Sequence, residues 1–230
     1  MGFLTRLFGN KKSSLNANAG HGVSADRYIN DIVKPKAEQG DAKAQCELGS
    51  FHAHIKKDWA EAAIWWRKAA VQGHAKAQEQ LGLAYASGNG VRKNWPEAIV
   101  WITKAAEQGN VGAQHLLGGI YFSGEAITPN LAEAAKWWRK AAEQGDADAQ
   151  NNLGCAYSEG EGVTQNNAEA TKWWRKSAEQ GFADAQYNLG RAIIIEKGAH
   201  GNWDEAAMWL RKAAAQGHPK AAETLRQMRQ

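Results

Sequence analysis

Residues 130–154 read NLAEAAKWWRKAAEQGDADAQNNLG, and this stretch contains the pattern that decides the fold. It joins the end of one predicted helix to the start of the next through a Gln-Gly pair. The same pair recurs along the chain in steps of 33, 36, 36, 36 and 36 residues. Its glycines are Gly40, Gly73, Gly109, Gly145, Gly181 and Gly217. A fixed period of this size is typical of stacked supersecondary units.

The first helix of each repeat carries Ala at i and Leu at i+4, with Tyr at i+8 in the three central repeats and His52 or Ile193 there in the end repeats. This spacing is one stripe of an α-helix. In the second repeat these residues are Ala77, Leu81 and Tyr85. A Gln follows the Ala in every repeat, and a Gly follows the Leu. The next turn reads Gly88-Asn89-Gly90-Val91, where glycine permits a positive φ. The first helix therefore ends there.

The second helix begins with Asp or Asn and has Glu three residues later. We predict a capping box, in which the first side chain accepts a helix N–H and the Glu reaches back. The pairs are Asp58 and Glu61, Asn94 and Glu97, Asn130 and Glu133, Asn166 and Glu169, and Asn202 and Glu205. A Trp recurs in the helix body and is predicted to fill the core. Its copies are Trp65, Trp101, Trp137, Trp173 and Trp209.

The pattern A-x-A-Q-x-x-L-G-x-x-Y, then G-x-G-V, then A-x-x-W-x-x-x-A-A-x-x-G resembles the Sel1-like repeat, a relative of the tetratricopeptide repeat. Five copies are predicted at 41–73, 74–109, 110–145, 146–181 and 182–217. The resemblance implies an all-α fold, namely a right-handed α-solenoid of tandem antiparallel helix pairs with a concave groove. It also implies a scaffold or adaptor role, commonly in bacteria.

Some members of this family carry a cysteine pair in every repeat, whereas this chain has only Cys46 and Cys155. The exported, disulfide-bonded character of those members is therefore not implied here. Two scattered thiols are compatible with a reducing compartment. Residues 1–12 lack the long apolar run of a secretory signal. We expect a cytoplasmic protein.

The ends of the chain differ from the repeats. Residues 1–22 are predicted to be a flexible tail, 23–40 an N-terminal capping helix that Pro35 kinks or restarts, and 218–230 a C-terminal capping helix. Within the tail, residues 2–12 place Phe and Leu on one helical face beside basic residues. This segment is either a peripheral contact with the inner membrane or with a partner, or a frayed tail.

Composition argues against several functions. The net charge of +4 is small, and acidic and basic residues are mixed, so we predict no nucleic-acid partner. Basic pairs near the ends of the second helices complement the helix dipole and are predicted to be a solvated face. The glycine turns lack a P-loop lysine, which predicts no nucleotide cofactor.

No catalytic or metal site is predicted. Cys46, His52 and His54 lie close in sequence but lack the spacing of a metal motif. No nucleophile elbow occurs, so we predict that the protein is not an enzyme. The alternative is a hydrolase acting on cell-wall-like amides, an activity claimed for the cysteine-rich relatives.

The predicted binding surface lies on the first helices, which line the groove in this family. Two residues after each Gln stand Glu47, Gln80, Leu116, Asn152 and Asn188. Amides there can hydrogen-bond the backbone of a peptide or partner protein. They can equally join neighbouring helices, and the sequence does not decide between these two roles.

Overall fold

A computed structural model describes residues 25–197 and 203–228, and all the regular structure in these ranges is helical. The chain divides into two compact units, Met1–Ile127 and Thr128–Gln230, called unit 1 and unit 2. Unit 1 contains α1 (Ala25–Tyr28), π1 (Ile29–Val33), α2 (Lys34–Glu38), α3 (Ala42–Phe51), π2 (His52–Lys56), α4 (Trp59–Val71), α5 (Ala75–Ser87), α6 (Trp95–Glu107) and α7 (Val111–Ser123).

Unit 2 contains α8 (Leu131–Glu143), α9 (Ala147–Glu159), α10 (Asn167–Glu179), α11 (Ala183–Lys197), α12 (Trp203–Ala215) and α13 (Ala221–Gln227). From α3 in unit 1, and throughout unit 2, each helix packs against the next one along the chain. The prediction of an all-α solenoid of helix pairs is confirmed. The tail segment 2–12, Ser24 and Asn202 lie outside the described residues.

The predicted N-terminal cap is helical from α1 to α2, and its middle segment is the π-helical turn π1. The Lys34 N–H donates to the Ile29 carbonyl, five residues back. This wider turn directly precedes Pro35, whose ring would clash with the carbonyl four residues earlier in a regular α-helix. Ile29 and Val33 are buried against the first helix α3. The predicted kink at Pro35 is therefore a π turn just before it.

The Gln-Gly pairs end their helices as predicted, with glycine in the left-handed conformation. Gly73 has φ 89°, and its N–H donates to the Ala70 carbonyl at 3.0 Å. The following His74 N–H donates to the Ala69 carbonyl at 3.2 Å. This pair of bonds is a Schellman motif, which satisfies the last carbonyls of the helix.

The Gln after each Ala forms a buried amide ladder that the sequence pattern did not predict. The Gln78 Nε2 donates to the Ala70 carbonyl at 3.1 Å, and its Oε1 accepts from the Gln108 Nε2 at 2.7 Å. Gln45, Gln150 and Gln186 make the equivalent pair of contacts. Because a buried polar group without a partner is costly, this ladder fixes how successive helices meet.

Half of the predicted capping box is present and half is wrong. The Asn94 Oδ1 accepts from the Glu97 N–H at 3.3 Å, and the caps at 58, 130 and 166 do the same. The Glu side chain does not reach back to Asn94, because the Asn94 N–H already donates to the Tyr85 carbonyl at 2.9 Å. Asn166 is bound in the same way by Tyr157, and Glu169 pairs instead with a lysine.

In four of the Leu-Gly pairs, the Gly gives room to a large side chain of the second helix; these are Gly49, Gly82, Gly154 and Gly190. A Cβ added at Gly154 would lie 2.6 Å from Trp174 Cδ1, and one added at Gly82 would lie 2.6 Å from Ile102 Cγ1. Both of these partners are buried. The position after the recurring Trp is therefore also part of the core.

The recurring Trp side chains are buried as predicted, with 6% to 9% of their surface exposed. Each has a lysine ammonium over its ring, for example Lys140 at 4.0 Å from the centroid of Trp137. The same contact recurs at Trp65, Trp101, Trp173 and Trp209. The lysines of the basic pairs therefore also cover the core, and are not merely a solvated face.

Candidate partner-binding faces

The predicted binding residues lie on the first helices of both units. Glu47 on α3 and Gln80 on α5 are half-buried in unit 1, and Asn152 on α9 and Asn188 on α11 are half-buried in unit 2. Leu116 on α7 is different, because only 7% of its surface is exposed. Little of that side chain is available to contact a bound peptide or partner protein. Four of the five residues therefore remain candidates.

At Asn188 the structure shows the helix-joining role. Its Nδ2 donates to the Asn151 Oδ1 at 3.0 Å and lies 3.7 Å from the Cys155 Sγ. Asn151 and Cys155 belong to α9, so the amide bridges two successive first helices of unit 2. Both contacts use Nδ2 and leave the Asn188 carbonyl oxygen to other partners.

The position immediately after the Gln was not predicted to matter, but it holds a buried polar residue in three repeats, namely Glu79, His115 and Asn151. Glu79 is 5% exposed, and its Oε2 accepts from the Lys76 ammonium at 2.8 Å. A Cβ added at Gly112 on α7 would lie 2.7 Å from the Glu79 Oε1. The missing side chain of Gly112 thus makes room for a carboxylate between two first helices. A polar residue at a core-facing position of the helix, such as Glu79, was the sequence signal that could have indicated this buried group.

In unit 2 a second missed group surrounds Tyr187 on α11. The His218 ring stacks on the Tyr187 ring with centroids 4.2 Å apart. The His218 Nε2 lies 3.6 Å from the Asp184 Oδ1, and the Arg191 guanidinium lies 5.7 Å from the Tyr187 centroid. These side chains form a charged and aromatic surface where α11 meets the approach to α13.

The two cysteines are free thiols in environments that disfavour the thiolate. Burial raises the pKa of Cys46 to about 12. Burial also raises the pKa of Cys155 to about 11. Both are therefore protonated at neutral pH, whereas a nucleophilic cysteine must be a thiolate.

The histidines near Cys46 pack against aromatic rings. The His52 ring contacts the edge of Phe51 at a centroid distance of 5.9 Å, and His54 contacts Trp59 at 5.9 Å. Burial lowers the pKa of His54, and the nearby Lys57 lowers it further. These contacts account for both rings as packing residues.

The Sel1 repeat family model matches residues 42–74, 75–110, 111–146, 147–182 and 183–218. The chain belongs to the Sel1 repeat family. Each matched Sel1 repeat begins one residue after the boundary predicted from the Gln-Gly pairs. Sel1 repeat proteins are generally protein-interaction scaffolds, and the family is generally non-catalytic.

Solved Sel1 structures resemble this one. A protective antigen of uropathogenic Escherichia coli with an SLR fold has TM-score 0.80 and 36% identity, over 86% of this chain and 46% of the antigen. A Sel1 repeat protein from Oxalobacter formigenes has TM-score 0.76 and 34% identity, over 87% of this chain and 82% of that one. This chain thus spans less than half of the antigen. The search of curated protein sequences found no match to this chain.

A third structure, a Klebsiella pneumoniae protein described as a Sel1 repeat protein, has TM-score 0.54 and 25% identity over 86% of this chain and 98% of its own. None of the helices in residues 25–197 and 203–228 has the length and hydropathy needed to span a bilayer.

Proposed function

We propose that this Sel1 repeat protein is an interaction scaffold that binds a peptide or partner protein on its first helices. Unit 1 supplies one such face from α3, α5 and α7. Unit 2 supplies another from α9, α11 and α13. We call these two surfaces the first-helix faces.

One contrast supports the proposal. The core side of the first helices repeats the same contacts in successive repeats, as the Gln amide ladder illustrates. The opposite side changes from repeat to repeat, with the half-buried Gln80 on α5 and Asn188 on α11, and the exposed Arg191. A constant frame with a variable polar face suits recognition in which each repeat contacts a different part of the partner.

The chemistry of these faces suits a polypeptide ligand. Asn and Gln side chains both donate and accept hydrogen bonds, as the backbone of an extended peptide does. The contacts of Asn188 with Asn151 and Cys155 use only its Nδ2, so its carbonyl oxygen can accept a peptide N–H. Tyr187 and Arg191 add a ring and a charge beside it.

The test is capture of partners from native cells, identified by mass spectrometry. The variant Asn152→Ala/Asn188→Ala should lose the captured partner while keeping its helical circular dichroism signal. Its control is Asn167→Ala/Glu179→Ala, which changes two exposed residues on the second helix α10. Equal capture by both variants would reject the unit 2 face, and Gln80→Ala on α5 tests unit 1 in the same way.

The hydrolase alternative gains nothing from Cys46 and Cys155, because both thiols are protonated at neutral pH. A panel of amide substrates tested on purified protein addresses it directly. Free thiols are consistent with the cytoplasmic location that we propose. Cell fractionation of the full chain and of a variant lacking residues 2–12 tests that location and the proposed peripheral membrane contact.

A further inference from the structure

Unit 1 contains a cleft of about 580 Å³ that is separate from the residues proposed for its first-helix face. The cleft is formed by α4, by the last turns of α5, and by the turn that leads into α6. Its lining residues are Arg67, Tyr85, Val91, Arg92, Lys93 and Asn94. Three of these six side chains are cationic.

The charge of the cleft is not neutralised by the described residues. No acidic side chain is among its lining residues. Arg92 and Lys93 form no salt bridge with any residue of 25–197 or 203–228. Arg67 donates a hydrogen bond to the Tyr85 hydroxyl, which is a neutral partner. The cleft therefore presents three positive charges to a ligand.

The turn that carries Arg92 and Lys93 is held by the rest of unit 1. The Gly88 N–H donates to the Ala84 carbonyl at 2.8 Å at the start of the turn. At its end, the Asn94 N–H donates to the Tyr85 carbonyl at 2.9 Å. Because the turn is fixed at both ends, little ordering of the backbone is needed when a ligand binds.

The fourth repeat has the same frame without the added charge. Arg139 of the third repeat donates to the Tyr157 hydroxyl of the fourth, as Arg67 of the first repeat does to Tyr85 of the second. The Arg–Tyr pair thus belongs to the common frame and does not by itself indicate a ligand.

Two positions of the turn distinguish the two repeats. Where the second repeat has Arg92 and Lys93, the fourth has Thr164 and Gln165. The Gln165 Nε2 donates a hydrogen bond to the Ser158 carbonyl at 2.8 Å. The fold therefore accepts neutral residues at these positions. The additional positive charges of the second repeat are not needed to form the turn.

We propose that this cleft binds carboxylate side chains of an acidic peptide segment in a partner protein. The inference rests on the proposed scaffold function for the polypeptide nature of the ligand, but it names a site apart from the first-helix faces. Arginine and lysine pair with carboxylates through charge-assisted hydrogen bonds. Residues 1–24, 198–202 and 229–230 contain no Asp or Glu. None of these segments can therefore supply an acidic side chain to the cleft.

The test uses fluorescein-labelled hexaglutamate and measures its fluorescence anisotropy with the full chain. The variant Arg92→Thr/Lys93→Gln, which copies the fourth repeat, should weaken binding about 10-fold. A control with equal loss of charge is Lys34→Gln/Lys36→Gln on the exposed side of α2, which should change the affinity less than two-fold. Equal effects of the two variants would overturn the cleft and indicate general attraction to a basic protein.

The reciprocal change provides an independent arm. Thr164→Arg/Gln165→Lys should build a second cleft in unit 2 and bind a second hexaglutamate per chain. Hexaglutamine should bind to neither protein, because it lacks the carboxylates. Binding of hexaglutamine as tightly as hexaglutamate would overturn the assignment.

Amide NMR spectra of residues 88–94 locate the bound ligand and distinguish a peptide carboxylate from inorganic phosphate. Shifts in this turn on adding hexaglutamate support the cleft. Saturation by inorganic phosphate, with no response to hexaglutamate, would overturn the peptide assignment in favour of a free oxyanion.

Partner capture distinguishes this inference from the scaffold proposal. If Arg92→Thr/Lys93→Gln still binds hexaglutamate as the natural chain does, the assignment of the cleft as a binding site is rejected, while partner capture can still succeed. If the first-helix variants keep their partner but hexaglutamate binding depends on Arg92 and Lys93, the assignment of the first-helix faces is rejected and that of the cleft is kept.

Discussion

The turn of the second repeat depends on Gly90 for two separable reasons. Gly90 has φ 72°, and a Cβ built on it would lie 1.9 Å from the Trp59 carbonyl oxygen. Gly73 is the matched control, because it has φ 89° and nothing within 4 Å of its built Cβ. Comparing Gly90→Ala with Gly73→Ala therefore separates the close approach from the backbone conformation.

The expected magnitudes follow from this geometry. An Ala at positive φ costs roughly 1–2 kcal/mol, and Gly→Ala recovers about 0.4–1 kcal/mol through the unfolded chain, so Gly73→Ala should cost about 1 kcal/mol. Gly90→Ala must also move the turn by about 1 Å to bring the contact near 3 Å, since the built Cβ lies 1.9 Å from the oxygen. That movement disturbs the Asn94 cap and the Asn94–Tyr85 hydrogen bond, each worth about 1 kcal/mol. The total is about 3 kcal/mol.

Urea unfolding at 25 °C, followed by tryptophan fluorescence and far-ultraviolet circular dichroism, gives the free energy of unfolding. Gly90→Ala should be less stable than Gly73→Ala by about 2 kcal/mol. In unit 2, Gly162→Ala and Gly181→Ala repeat the comparison, since a Cβ at Gly162 would lie 2.0 Å from a backbone oxygen and one at Gly181 meets nothing. A difference below about 0.5 kcal/mol in both pairs would refute the close-approach argument.

Three further predictions concern the core, the helix cap and the thiols. Trp173→Ala should lower the free energy of unfolding by about 3–5 kcal/mol, measured by urea unfolding, because it empties a buried site. Burial lowers the pKa of His74, whose Nδ1 accepts the Ala77 N–H at 3.2 Å, so the unfolded chain takes up a proton first as pH falls below about 6.5. Stability should therefore fall below that pH, and His74→Asn should lose less between pH 7 and pH 5 in urea titrations. Cys46 and Cys155 should react slowly with a thiol reagent at pH 8 and rapidly in urea, because the raised pKa of each keeps it protonated in the folded chain; fast reaction of the folded chain would contradict those raised pKa values.

The part of the fold that could be predicted from sequence depends on local interactions. Helix periodicity is visible within two or three turns, and the Gly cap at Gly73 and the side-chain cap at Asn94 involve residues no more than a few positions apart. These signals determined the repeats, the buried Trp positions and the left-handed glycines. The site was less accessible, because a half-buried residue such as Asn188 looks the same in sequence whether it joins helices or meets a guest.

The sequence by itself determined a set of capped helices, each with one face that must be buried. Only the tertiary structure decided which distant groups share hydrogen bonds across that packing. The Tyr85 carbonyl occupies the Asn94 N–H and leaves the predicted Glu97 contact unmade, and Asn188 meets Asn151 across 37 residues. The physical reason is that a polar group bonds to the partner that packing brings within about 3 Å, and separation along the chain does not specify which partner that is.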